Sequence, residues 1–297
     1  MPEKNNFLLR LKARNALRGH WQTALLIMML GSLVSWAAQA VSTIQGNTVL
    51  QQLMLAMQQV SDTDFITPDF WTDILSKQFG TSRLLANLLS LLAVLVAPMF
   101  TLGYIQYFLN LLRGGEEQRW TAVFSRASSW LKGLGLELWM FLKTMAWALP
   151  GLAGLFAVML ISVNVQSLSG YGASWLVTLS IVCYVGAIVP SVMAFFRYAL
   201  SMYYLVDHPD WRIRDCVAAS KKAMANQKMN LFFMYISFIG WSLLISLLSN
   251  LIFTMFGQVL YLVVNLALNL ALSVYQMCSV CAFYDAWRGE DVVGTVV

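Results

Sequence analysis

Cys278 and Cys281 form the one C-x-x-C in this 297-residue chain, a spacing that serves redox or zinc chemistry in water-soluble proteins. Here it falls inside an apolar run, and Cys183 and Cys216 supply no second pair at matching spacing. The pair therefore reads as small polarizable residues at a helix contact. His20 and His208 are the only histidines, and both sit at the edges of apolar runs. That excludes an intramembrane metalloprotease, which needs two helical histidines inside the membrane. No Gly-x-Ser-x-Gly accompanied by a buried histidine occurs, which disfavours a serine intramembrane hydrolase. No catalytic, cofactor or metal-ligating residue is assigned, and the chain is expected not to be an enzyme.

Ionisable and amide side chains inside apolar runs are costly and often functional. Arg197, Asn265 and Asn269 make the candidate polar site within the membrane. Arg197 precedes Asp207 by ten residues, about 15 Å along a continuous helix. It either snorkels toward the inner headgroups or binds a carboxylate or helix C-terminus within the bundle. Asn265 and Asn269, one turn apart, are placed to hydrogen-bond a neighbouring helix. Glu137 and Lys143 mark the start of the third apolar run, and no relay of acids is present. Pro150-Gly151 and Pro190 are expected to interrupt the third and fourth runs.

The elements that hold these groups follow from composition. Hydrophobic residues are 59% of the chain and charged ones 11%, against roughly half and a quarter in a soluble domain. Apolar runs of the ~20 residues needed to span a bilayer recur at about 22–41, 84–112, 138–163, 173–206, 230–254 and 258–284. Backbone in lipid must bond within its own segment, so these runs are helices. The expected fold is all-α: one polytopic membrane domain over 1–297, six transmembrane helices with amphipathic helices at the interface.

Arg10, Arg14 and Arg18 lie on one stripe of a short basic helix, with Gly19 as its stop before the first span. Ala38-Gln39-Ala40 has the pattern of a signal-peptide cleavage site, but the run before it is long enough to remain as a span. The loop 42–83 is expected to hold two interfacial helices, near 48–60 and 68–79. Trp120, Val123, Phe124, Ala127 and Leu131 repeat at helical spacing and predict an amphipathic helix across 113–137. Residues 164–173 read as a tight neutral turn. At the end of the fourth run, Asp207-x-Pro209 should stop the helix, with Asp207 capping the next one. That next helix is expected over 210–228. Ile213, Val217, Ser220 and Met224 would enter the inner leaflet, and Arg212, Arg214, Lys221, Lys222 and Lys228 would meet anionic headgroups.

Seventeen lysines and arginines fall on the side of the N-terminus and two, Lys77 and Arg83, on the other, while the acids divide ten to four. The net charge of +5 thus resolves into a basic inner face and an acidic outer one. Both termini are expected in the cytoplasm of a multi-pass plasma-membrane protein. The expected partners are anionic lipid and another membrane protein or a second copy. Nucleic acid is not expected, because no stacking platform or reading module accompanies the basic charge.

Several residues carry a likeness to a known family. They are Ala13-Arg14, Leu17, Gly19, Trp21, Pro150-Gly151, Arg197-Tyr198, Tyr204, Asp207, Pro209, Ser220, Met224, Phe232, Ser237-Phe238-Ile239-Gly240-Trp241 and Phe283-Tyr284. Along nearly its whole length the chain resembles the bacterial integral membrane proteins grouped as domain of unknown function 975. Asn226-Gln227-Lys228 departs from the glycine and lysine usual there. The resemblance implies a six-helix membrane protein, chiefly of Gram-positive bacteria, and no established activity. Two roles are then open: a non-enzymatic component or accessory subunit of a transport, secretion or envelope system, or a carrier or channel for a lipid-like or small amphipathic substrate. A cavity lined by Arg197, Asn265 and Asn269 would favour the carrier, and a solidly packed bundle the subunit.

Overall fold

The computed structural model describes residues 5–44, 72, 81–115, 120–164 and 171–288. The loop helix expected near 48–60 lies outside them, as do all but residue 72 of the one near 68–79 and residues 165–170 of the turn expected over 164–173, whose flanks are helical. Among the described residues there are helices and no strands. We number them α1 (Asn6–Leu17), α2 (Trp21–Ile44), α3 (Thr81–Leu112), α4 (Trp130–Asn164), α5 (Tyr171–Tyr198), α6 (Ser201–Asp207), α7 (Ile213–Ala223), α8 (Lys228–Phe256) and α9 (Gln258–Arg288). Five stretches are long and apolar enough to cross a membrane: Asn87–Leu112, Ala127–Val158, Trp175–Asp207, Lys228–Phe256 and Gln258–Arg288. With the shorter apolar stretch Trp21–Leu33 of α2 they make the six-span, all-α architecture. Leu243, Leu247, Leu251, Met255 and Val259 stand more than half exposed. In water such a row would be an aggregation site, and hydrocarbon is the solvent that suits it.

The chain divides into two compact units, each taken on its own. The first comprises Gly31–Ala97 and Ala153–Cys183. Its described side chains are largely exposed and apolar, Leu88, Leu91, Val94, Phe156 and Ile181 among them, while Val158 is buried. A Cβ at Gly154 would stand 2.7 Å from the Cys183 sulfur, so glycine is what lets these two helices approach.

The second unit comprises Met1–Leu30, Pro98–Leu152 and Tyr184–Val297. It holds a core of the kind found in soluble proteins, with Leu102, Ile105, Phe108, Leu205, Phe283 and Tyr284 all buried. α1 starts on Asn5, whose side chain accepts from the Phe7 N–H at 3.2 Å, and ends before Gly19, at φ 86°. Its stripe Leu9, Ala13 and Leu17 is buried. α1 lies against α8 and α9: Asn6 Nδ2 donates to the Asn230 carbonyl at 2.7 Å and Arg10 Nη1 to Ser237 Oγ at 2.5 Å. The Tyr275 hydroxyl donates back to the Arg10 carbonyl at 3.4 Å.

Five expectations from the sequence need correction. No single amphipathic helix runs through 113–137; two short 3₁₀ turns, Trp120–Phe124 and Ala127–Ser129, lead into α4 at Trp130. The first turn lies backbone to backbone on α3, since a Cβ at Gly103 would come within 2.1 Å of the Val123 carbonyl oxygen. That contact overrides the helical pattern of the side chains.

The fourth run is not one helix. It breaks at Ala199-Leu200 between α5 and α6. Ser220 of α7 takes up the backbone groups this frees: its Oγ donates to the Arg197 carbonyl at 3.1 Å and accepts from the Leu200 N–H at 3.2 Å. A buried hydroxyl thus replaces the missing turn.

Asp207 does not cap the next helix. It is the last residue of α6, and α7 begins at Ile213 after Arg212 with no side-chain cap. α7 also ends at Ala223, short of 228, with Cys216, Val217 and Ser220 buried and Met224 buried just beyond it. Its apolar stripe is packed against protein instead of entering lipid.

Finally, Pro150 and Pro190 do not interrupt their helices, which continue through them, as α3 continues through Pro98. At Gly151 a Cβ would meet the Ala187 backbone nitrogen at 2.3 Å, so Pro150-Gly151 marks a tight helix crossing.

Candidate functional site

Asp207, at the end of α6, is a largely buried carboxylate at the meeting point of four chain segments. Arg113, which follows α3, donates through Nη1 to Asp207 Oδ1 and through Nη2 to Oδ2, each at 3.0 Å. From the last turns of α9, the Tyr284 hydroxyl donates to Oδ2 at 2.9 Å and Arg288 Nη1 pairs with the same oxygen. Asp285 extends the cluster: it accepts from Arg113 Nε at 3.1 Å and from Lys12 of α1 at 3.3 Å. Three cations thus surround two carboxylates.

Bidentate guanidinium–carboxylate pairs are the strongest of such contacts because charge and geometry act together. Burial works against the Arg113 charge, yet hydrogen bonds and charge from Asp207 and Asp285 outweigh it and raise its pKa. Asp207 accepts from four donors and is saturated. The arrangement is chemically a clamp that ties α1, α3, α6 and α9.

Two further cations grip the same segment. Arg126 Nη2 donates to the Val206 carbonyl at 3.0 Å while its Nε donates to Gln106 Oε1 at 2.8 Å. Lys132 Nζ donates to the Pro209 carbonyl at 2.7 Å. Behind the carboxylate, Tyr204 meets Tyr284 edge to face at 5.1 Å and stacks on Trp211, which also stacks on His208 at 4.1 Å.

The three residues of the candidate polar site are not brought together. Asn269 Nδ2 donates to the Asn265 carbonyl at 2.8 Å and to its Oδ1 at 2.7 Å, and Ser249 Oγ of α8 donates to that Oδ1 at 3.4 Å. Arg197, at the end of α5, is not a member of this group. The basic residues expected at the inner leaflet are placed as follows. Arg212, Arg214, Lys221 and Lys222 are exposed, and Lys228 is half-buried as the first residue of α8. Arg214 also lies 5.8 Å from the centre of the Trp139 ring, which Lys143 approaches at 5.2 Å.

Cys278 and Cys281 are fully buried, and the Cys278 thiol donates to the Ala13 carbonyl at 3.7 Å, a contact between α9 and α1. Among the described residues no three of His, Cys, Asp or Glu come together as a metal site. Burial, aided by the adjacent Asp215, pushes the Cys216 thiol on α7 up to about 11.

Two cavities are bordered by described residues of this unit. One, of about 570 Å³, is bordered by α1, α8 and α9 and includes Arg10, Arg14, Trp241 and Leu268. The other, of about 540 Å³, lies between α5 and the start of α8 and includes Val192, Phe196, Lys228 and Phe232. Neither includes Arg197, Asn265 or Asn269.

Sequence reasoning missed Arg113, Tyr284 and Arg288 as partners of Asp207, and Asp285 as the second carboxylate that shares Arg113 with it. The signal was parity: the second, fourth and sixth spans of a six-span chain end on one side, which brings their closing charges together. A family model described as a protein of unknown function (DUF975) matches residues 1–291. No curated protein and no solved structure matches the chain.

Proposed function

Since the chain belongs to the DUF975 family of proteins of unknown function, we propose a role that rests on its own geometry. It is a non-enzymatic component of the bacterial plasma membrane, an accessory subunit of a transport, secretion or envelope system, with both termini in the cytoplasm. The observation that carries this reading is how charge is distributed in the second unit. The carboxylates Asp207 and Asp285 are taken up by Arg113, Arg288 and Lys12, and the cluster braces the helix ends. Arg14, Arg18, Arg212 and Lys221 stay outside it, exposed and without an ion pair among the described residues. A braced end with unneutralised cations suits an anionic surface, each cation contributing about 1 kcal/mol near the headgroups.

Proteoliposomes test the choice between subunit and carrier. The full chain, reconstituted at one protein per vesicle or more, should move no fluorescent phospholipid between leaflets faster than protein-free vesicles do. Protein-dependent movement would overturn the subunit reading in favour of the carrier. The orientation is checked on cells: a cysteine placed at Asp64 should react with an impermeant maleimide and one placed at Lys221 should not.

A further inference from the structure

The cavity bordered by α1, α8 and α9 has a polar lip and an apolar floor. Arg10 and Arg14, one turn apart on α1, stand over Trp21, Phe238, Trp241 and Leu272. Arg10 is held by the Asn6 carbonyl and Ser237 Oγ, and neither guanidinium pairs with a carboxylate among the described residues. Arg14 is exposed. Two positive charges at the lip of an apolar groove, one of them held in place, match one kind of occupant, a molecule with an anionic head and a hydrocarbon tail.

Helix length puts the groove at the right depth for such a molecule. α8 has 29 residues and α9 has 31, and Gly257 joins them in a tight turn at φ 86°. At 1.5 Å per residue each helix is roughly 45 Å long, against ~30 Å of hydrocarbon. Counting about 20 residues back from the turn along α8, and forward along α9, reaches the hydrocarbon edge near Ser237 and Met277. Arg10 bonds Ser237 and Tyr275, so it stands at that edge. Trp21, Trp241 and Tyr275 form the aromatic belt expected there. Beyond it the helices enter the buried core; before it, α8 and the first half of α9 face lipid with Leu243, Leu247, Leu262 and Leu266.

We propose that this groove holds one anionic phospholipid of the bilayer, its phosphate between Arg10 and Arg14 and an acyl chain along Phe238, Trp241 and Leu268. The site stands whether or not the chain is an accessory subunit, since it needs only a bilayer. Charge-assisted hydrogen bonds from guanidinium to phosphate are shorter and stronger than neutral ones. A zwitterionic lipid offers the same phosphate but brings its own cation against the arginines.

Native mass spectrometry of the full chain tests the site. Samples are released from nanodiscs of phosphatidylglycerol or of phosphatidylcholine, and a third sample in detergent receives inorganic phosphate. One phosphatidylglycerol should stay on each chain, while phosphatidylcholine and free phosphate are lost. Arg14→Gln, at an exposed position, should weaken retention about tenfold, the loss of one such contact. Leu11→Glu places an acid on the next turn from Arg14, at a residue 40% exposed, and should weaken retention with both arginines intact. Lys143→Gln, at an exposed position of α4 away from the groove, should leave it unchanged. Equal retention of the two lipids, undiminished retention in both groove variants, or a dimer in place of the lipid adduct would each overturn the proposal.

Discussion

The Arg113 guanidinium meets the Asp207 carboxylate fork to fork, Nη1 3.0 Å from Oδ1 and Nη2 3.0 Å from Oδ2. The pair joins the residue after α3 to the last residue of α6, 94 positions apart in the chain. The Asp207 side chain is only 10% exposed and that of Arg113 29%. Removing one partner therefore leaves the other charge poorly solvated.

Asp207→Asn keeps the shape and deletes the charge. It should cost about 3 kcal/mol, the lower end for breaking a buried pair, read as a fall in the thermal midpoint of the detergent-solubilised protein. Arg113→Gln should cost a similar amount. The double variant should lose less than the sum of the two, because the residues share one interaction. Strict additivity would show that the pair contributes nothing by itself.

Ser220→Ala tests the break between α5 and α6. The variant strands the Arg197 carbonyl and the Leu200 N–H, both of which now use the Ser220 hydroxyl. Ser220 and Leu200 are buried, so water is a poor substitute, and the loss should be about 2 kcal/mol. A thermal midpoint equal to that of the native chain would show that the break is tolerated without the hydroxyl.

Two glycines should respond in opposite directions. At Gly151 an added Cβ meets the Ala187 backbone at 2.3 Å, and backbone cannot yield as a side chain can. Gly151→Ala should cost about 1–3 kcal/mol or more by overpacking. At Gly240, inside α8, nothing lies within 4 Å of the same atom. Gly240→Ala should instead gain about 0.5–1 kcal/mol through helix propensity. Thermal melts of the two variants settle the contrast; a loss at Gly240 equal to that at Gly151 would contradict the packing described for α8.

The helices were legible because the bilayer imposes one rule on every span: ~20 apolar residues closed on their own backbone. Asp207 was legible as a helix end for a similar reason, since a charge next to Pro209 stops an apolar run. Its actual partners were not. Arg113 comes from the end of α3, Tyr284 and Arg288 from the end of α9, and local spacing carries no record of which helix ends meet. The break at Leu200 was hidden for the same reason, because the group that makes it tolerable sits 20 residues away on α7. The amphipathic pattern of α7 was legible, but a stripe reads alike whether lipid or protein covers it. Trp120 to Leu131 misled because Gly103 accepts backbone contact that outweighs side-chain periodicity.

Cys216 offers a pH-dependent check on how α7 is seated. Burial, then the charge of Asp215, raises its thiol from the ordinary 9.0 to about 11. At pH 8 its thiolate fraction is thus about a hundredfold below that of an ordinary thiol, and only the thiolate is a nucleophile. Maleimide at pH 8 should leave Cys216 unmodified in the folded, detergent-solubilised chain and modify it after denaturation. A cysteine placed at Lys221, exposed on the same helix, should react at once. The raised pKa also fixes the sign of the stability effect. A protonated thiol favoured by folding contributes stability that is complete below about pH 9 and lost as pH rises through about 11. The thermal midpoint should therefore fall across that window, and Cys216→Ala should flatten the fall. Prompt labelling of Cys216 at pH 8 would mean that α7 is not packed on the bundle, in line with the leaflet-bound helix expected from the sequence.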